Sequence, residues 1–288
     1  MVSKQEILGQ QILKRIHIHN KNDGGVFTET TGSQGSAKTS ALFSFIDYTL
    51  EHHPDEKIFW SECYRSPLQV FKLGKEKVCF LVKKDVPLTF RDRNNKLAPI
   101  KFPVIRFKDF NELYNKAKPG KVNVVFFGDR FIWMDFIGYL RNVGEWVHVY
   151  IDEMSEVCPS YSSGDMWKRI GRFSLHILKD IRKDMINLHV NTQSKVNVDD
   201  RVRKQIMIKI FLPGAMADKH SRITQRAIDN LTRDPVYGNQ AYLDFSGQFG
   251  VVTFKDIYKP LDKYHIDVVC NGGEGEMYFI PSFKGVQN

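Results

Sequence analysis

Short apolar runs separated by segments of helical spacing set the pattern of the chain. Residues 26–28, 57–60, 78–82, 122–127, 146–151, 186–190 and 206–212 read as strands. The run at 122–127 has the character of a parallel strand buried on both faces. Between the runs, Leu42, Phe43, Phe45, Ile46 and Leu50 predict a helix over 39–51, and further helices are expected at 110–118, 131–141, 167–183 and 199–205. Strands alternating with helices imply right-handed crossovers and an α/β fold: a mostly parallel central sheet flanked by helices. Residues 86–107 read as a β-hairpin insertion turning at Arg91-Asp92-Arg93-Asn94-Asn95. After Pro213 the rhythm changes to a helix over 221–231 and strands at 241–245 and 250–254, a small C-terminal α+β extension. The expected layout is a polar lead-in at 1–23, a core at 24–212 and the extension at 213–288.

A length of 288 residues suits one large domain or a core with an appendage, and 42% hydrophobic with 26% charged residues is ordinary for a soluble globular chain. No apolar run reaches the roughly eighteen residues a membrane span needs, and the polar start argues against a secretory signal, so the expected location is cytoplasmic. Lysine and arginine exceed aspartate and glutamate by 42 to 33, a net charge of +9 that favours a polyanionic partner. Cys63, Cys79, Cys158 and Cys270 are scattered, so neither a zinc site nor a disulfide framework is read. The nine histidines lack metal-ligand spacing and are assigned no chemistry.

The first chemical motif is Gly32-Ser33-Gln34-Gly35-Ser36-Ala37-Lys38-Thr39, with Ser40 behind it, placed between a strand and a helix. Small residues let backbone N–H groups close around a polyphosphate, and the helix N-terminus adds its dipole. These residues are the candidate ATP-binding set. Lys38 is expected to reach the β- and γ-phosphates and Thr39 to place its hydroxyl on Mg²⁺. Ala37 stands where the usual pattern has glycine.

The strand at 146–151 runs directly into Asp152 and Glu153. Two adjacent carboxylates at the end of a buried strand are costly unless something uses them, and that end is where α/β proteins bind ligands. Asp152 is the candidate Mg²⁺ residue, and Glu153 the group that orients and deprotonates water. The strand at 186–190 likewise leads into Asn191-Thr192-Gln193, where Gln193 is a candidate for contacting the γ-phosphate and the attacking water.

The phosphate loop, Tyr150-Ile151-Asp152-Glu153, Asn191-Thr192-Gln193 and Val198-Asp199-Asp200-Arg201-Val202-Arg203 together resemble the HerA–FtsK superfamily of P-loop motor ATPases. The likeness spans about residues 26–212 and is greatest to genome-packaging ATPases of viruses with internal membranes. It implies that the glutamine strand lies between the phosphate-loop strand and the acid strand. It also implies a hexameric ring moving double-stranded DNA, docked on a capsid or membrane portal component, with an arginine acting across the subunit boundary. Arg172, Arg182, Arg201 and Arg203 are the candidates for that role. Arg182 ranks first because it precedes the Gln193 strand. Arg91, Arg93 and Lys96 on the hairpin are candidate contacts to duplex backbone.

Two alternatives stand beside this reading. One is a Zot-like phage-assembly ATPase, a group that usually carries a membrane span. The other is a non-hydrolysing nucleotide-binding module, for which Ala37 is the only support. A terminase-type nuclease is disfavoured, because Asp244, Asp256, Asp262 and Asp267 lack an acid-x-Lys arrangement.

Overall fold

The computed structural model describes residues 3–17, 19, 24–61, 75–86, 89–91, 104–218, 221–234, 236–254 and 267–269. The chain begins with α1 (Lys4–His17), β1 (Phe27–Thr31), α2 (Lys38–His52), β2 (Lys57–Ser61), β3 (Val78–Lys83), β4 (Thr89–Arg91) and β5 (Val104–Phe107). It continues through α3 (Phe110–Lys116), β6 (Val122–Phe126), α4 (Ile132–Leu140), β7 (Val147–Ile151), α5 (Met154–Val157) and α6 (Gly164–Arg172). Then come β8 (Ile186–Thr192), α7 (Asp200–Arg203), β9 (Ile208–Phe211), α8 (Gln225–Asp229), β10 (Arg233–Asp234), β11 (Gly238–Phe245), β12 (Gln248–Phe254) and β13 (Asp267–Val269).

One sheet runs in the order β10-β11-β9-β1-β8-β7-β2-β6-β3-β5, with β12 added on β11. From β9 to β5 every pairing is parallel. Every residue of β1, β6, β7 and β8 is buried, as expected for a parallel sheet covered on both faces. Successive side chains alternate between two cores. Trp60 and Tyr150 pack with Phe43 and Phe45 of α2 on one face. Phe59 and Val149 pack with Phe136 of α4 and Ile170 of α6 on the other. β11 joins antiparallel to β9, so the segment after Pro213 continues the sheet one strand beyond the neighbour of β1.

Three elements differ from their sequence reading. The N-terminal lead-in is a helix, started by a capping box in which Ser3 N donates to Glu6 Oε2 (2.6 Å) and Glu6 N to Ser3 Oγ (3.2 Å). Its buried face is Gly9, Ile12 and Ile16; a Cβ at Gly9 would stand 2.2 Å from the Val251 carbonyl oxygen of β12. The helix expected at 167–183 begins as α6, passes through a π-helical turn (Phe173–Ile177) and ends in a 3-10 stretch (Leu178–Asp184). The wider turn brings Phe173 and Leu178, five apart, onto one buried face, which an unbroken α-helix would separate. The insertion at 86–107 is not a closed pair in its described parts. β5 pairs with β3 in the main sheet, whereas β4 pairs with β13. The turn at 92–95, with Arg93 and Lys96, lies outside the described residues. Among those residues, no helix is long and apolar enough to cross a membrane.

Candidate active site

β1 lies between β8 and β9, and β8 lies between β1 and β7, so the Gln193 strand stands between the phosphate-loop strand and the acid strand, the order the resemblance implies. Thr31 pairs with Thr192, and Ile151 with Val190, so the phosphate loop, Gln193 and the two acids leave the sheet at the same edge.

The loop turns tightly. A Cβ at Gly32 would come 2.3 Å from Ser36 Oγ and 2.9 Å from Leu212 Cβ. Gly35 (φ +73°) faces open space, and exposed Gln34 adjoins it at the mouth of the loop. Ala37 takes the left-handed conformation at φ 70°, ψ 29°, immediately before α2. That conformation explains why glycine is usual here. Lys38 Nζ donates to the carbonyls of Gly32 (2.9 Å) and Ser33 (3.0 Å), spanning the loop from inside. Burial lowers the Lys38 pKa; Asp152 and Glu153 draw it back up, and Arg233 lowers it further. Ser40 is buried on α2, behind the loop.

Thr39 Oγ1 donates to Asp152 Oδ1 (3.3 Å), which also accepts from Asn191 Nδ2 (2.8 Å). Ser61 Oγ, at the end of β2, accepts from Asp152 N (3.4 Å). A hydroxyl and a carboxylate held together beside the phosphate loop fit Mg²⁺ with a polyphosphate, since the ion prefers oxygen ligands and keeps waters. Glu153 is held differently. Its Oε1 accepts from Ser155 N (3.4 Å), Ser155 Oγ (2.5 Å) and Thr192 Oγ1 (3.2 Å), and its Oε2 from Gln193 N (3.3 Å). The side chain thus caps α5 and ties β7 to β8, with exposed Gln193 beside it.

Lys38, Thr39, Asp152, Glu153 and Gln193 therefore come together. Arg182 does not join them. It is exposed before β8, and its carbonyl accepts from Gly25 N (2.8 Å) at the opposite edge of the sheet. Seven residues of strand separate the two edges, roughly 20 Å. Arg201 is bound to Asp199 (2.7 Å) and lies over the Trp167 ring, and Arg203 is paired with Asp200 (2.7 Å). Arg172 is exposed at the end of α6.

Two site residues escaped the sequence reading. Arg233 Nη2 donates to Ser33 Oγ (2.6 Å) and to the Pro213 carbonyl (3.2 Å), and Asn239 Nδ2 donates to the Ser36 carbonyl (3.4 Å). Both come from the C-terminal strands, and no local motif marks either.

The arrangement is that of a P-loop NTPase fold. No protein-family model matches the sequence, and no curated protein matches it. Solved structures do match. One is the genome packaging NTPase B204 from Sulfolobus turreted icosahedral virus 2 in complex with ATP-gammaS, with TM-score 0.50 and 12% identity over 81% of this chain and 98% of that chain. Another is the bacterial conjugative coupling protein TrwBdeltaN70, with TM-score 0.51 and 10% identity over 86% of this chain and 91% of that chain. At such identities the likeness is one of fold.

Proposed function

We propose that the chain is an ATP-hydrolysing motor that moves double-stranded DNA as a ring of copies, in the manner of a viral genome-packaging ATPase. The convergence of Lys38, Thr39, Asp152, Glu153 and Gln193 at the ends of β1, β7 and β8 carries this reading. Loop amides and Lys38 hold the phosphates. Thr39 and Asp152 hold Mg²⁺, which would supply charge neutralisation between the terminal phosphates. Glu153, once released from Ser155 and Thr192, accepts the proton of the attacking water, and Gln193 orients that water.

The ring rests on Arg182. About a sheet's width from its own loop, this arginine can serve only a neighbour's phosphates. It lies in a cleft of about 910 Å³ with Lys14, Arg15 and Lys179, a net positive lining suited to a neighbour's bound polyphosphate even though Asp244 is also there and Lys204 and Lys209 are paired with Asp200 and Asp218. A hexamer is the proposed state. DNA as the moved polymer is supported by the net charge of +9 and by the neighbours, which are named for genome packaging and conjugative coupling.

The test is phosphate release with and without duplex DNA, alongside mass in solution. Lys38→Ala should keep the wild-type circular dichroism while turnover falls by orders of magnitude. Glu153→Gln should bind ATP and hydrolyse it very slowly, because an amide keeps the shape but takes no proton. Duplex DNA should raise wild-type turnover. Near-normal hydrolysis by Glu153→Gln would remove the base assignment, and indifference to DNA in an assembled protein would point to another polymer.

A further inference from the structure

The phosphate loop is closed on its outer side by residues almost two hundred positions downstream. Ser33 N and Ser33 Oγ both donate to the Pro213 carbonyl (3.3 Å each), just beyond β9. Gly214 follows at φ +75°, where a Cβ would meet Ser33 Oγ at 2.6 Å. A side chain at position 214 would therefore be strained and would displace Ser33, and Arg233 lies over the turn. The same Arg233 nitrogen reaches Ser33 Oγ and the Pro213 carbonyl. The guanidinium's Nε and other terminal nitrogen have no partner among the described residues, and the residue is exposed. Asn239, on the adjoining strand, holds the other limb of the loop through the Ser36 carbonyl.

This contact marks which end of the loop Arg233 serves. Lys38, the residue that reaches the outer phosphates in such loops, has its Nζ on the carbonyls of Gly32 and Ser33. The N-terminus of α2, where inner phosphates sit, is at the other end. A cation fastened to Ser33 therefore flanks the outer end. Lys38 and Arg233 are close enough for each to feel the other's charge. Asp152 and Glu153 offset part of the charge on Lys38, and a terminal phosphate between Lys38 and Arg233 would neutralise both cations directly.

We propose that Arg233 is a ligand for the γ-phosphate within its own subunit, so that the C-terminal strands report whether the loop holds ATP or ADP. The assignment rests on the reading of residues 32–39 as an ATP site, and it makes Arg233 distinct from any arginine supplied by a neighbour. It also gives the segment after Pro213 a function: motion of β10 and β11 follows the presence of the outermost phosphate.

Binding measured by calorimetry separates the possibilities without recourse to turnover. ADP and ATPγS, each with Mg²⁺, are titrated into wild type, Arg233→Ala, Arg233→Lys and Lys38→Ala. Arg233→Ala should bind ADP within about twofold of wild type but lose roughly tenfold in ATPγS affinity, the scale of one charge-assisted hydrogen bond at a partly exposed site. Arg233→Lys should recover part of that loss, and melting temperatures should be unchanged. An equal loss for both nucleotides would mean that Arg233 merely braces the loop. No loss for either would remove it from the site. Both outcomes overturn the proposal while leaving the ATP site standing, provided that Lys38→Ala weakens both nucleotides. Failure of wild type to bind either nucleotide would overturn the site reading and this assignment together.

Discussion

Ala37 is the residue at which local chemistry and the needs of the loop disagree. The loop requires a left-handed residue before α2, and an L-residue with a Cβ pays about 1–2 kcal/mol to adopt that conformation. Replacing it with glycine relieves the strain but frees the unfolded chain by roughly 0.4–1 kcal/mol. Ala37→Gly should therefore stabilise the protein by up to about 1.6 kcal/mol in urea unfolding and leave nucleotide affinity intact. A clear loss of stability would show that the Ala37 methyl contributes packing worth more than the strain. The five residues that meet at the site were legible because Asp152, Glu153 and Gln193 directly follow strands and Lys38 and Thr39 open the helix after one, so local order in sequence becomes proximity in a parallel sheet. Arg233 and Asn239 were illegible for the complementary reason. Their position depends on β11 pairing antiparallel with β9, which no nearby residue announces.

At the scale of elements, α1 shows how a polar sequence can hide a docked helix. Its apolar stripe is narrow and one of its contact residues is a glycine, so periodicity read it as a lead-in, although Ser3 and Glu6 carried a start signal. Beyond α1 the chain is anchored by histidines that spacing alone could not connect. Asn187 Oδ1 accepts from Val26 N (3.0 Å), which leaves its Nδ2 to donate to His19 Nε2 (3.0 Å). His19 must then carry its proton on Nδ1 and donate it to Glu56 Oε1 (2.7 Å). Glu56 Oε2 accepts from buried His148 Nε2 (2.6 Å), and His53 stacks on His19 with ring centres 3.9 Å apart. Burial lowers His148 to about 4, although its bond to Glu56 opposes the shift, and burial lowers His17 to about 3. Burial would raise Glu56, but the bonds from His148 and His19 prevail and hold it at about 2.

The sign is the same for all three groups, because the folded state holds fewer protons than the unfolded chain. The stability they contribute is complete above about pH 6.5 and is lost as pH falls, first through the histidine range toward 4 and 3, then through the carboxylate range from about 4.5 toward 2. Between pH 7 and pH 5 the cost is on the order of 2 kcal/mol for each of the two imidazoles. Thermal unfolding should accordingly be flat from pH 8 to 7 and fall steeply below pH 6.5. Hydrogen exchange should then show α1 losing protection before β1, β7 and β8. A melting temperature that holds or rises between pH 7 and 5 would exclude this linkage.

Across the whole molecule the two ends of the sheet's strands carry different chemistry. The strand ends at 151–153 and 192–193 gather Glu153, Thr192 and Gln193. The opposite edge, where β1 and β8 begin, carries the basic cleft with Arg182. The sequence placed Arg182 before the Gln193 strand, but only the fold reveals that this is the far edge, out of reach of the loop in the same chain. The geometry makes a strict demand: if Arg182 acts on phosphate, each working site is composed of two copies. Lys38→Ala spoils the loop of a subunit and leaves its far edge intact, whereas Arg182→Ala spoils the far edge and leaves the loop intact. Each variant alone should be nearly inactive. Rings assembled from both contain interfaces that pair an intact loop with an intact arginine, so mixing them should restore a fraction of wild-type turnover that peaks near equal proportions. Arg201→Ala serves as a control, since Arg201 is already committed to Asp199 and Trp167; it should lose stability and give no complementation pattern of this kind. If native mass spectrometry shows mixed rings that remain inactive at every ratio, Arg182 is not the residue that crosses the boundary, and exposed Arg172 becomes the next to test by the same pairing.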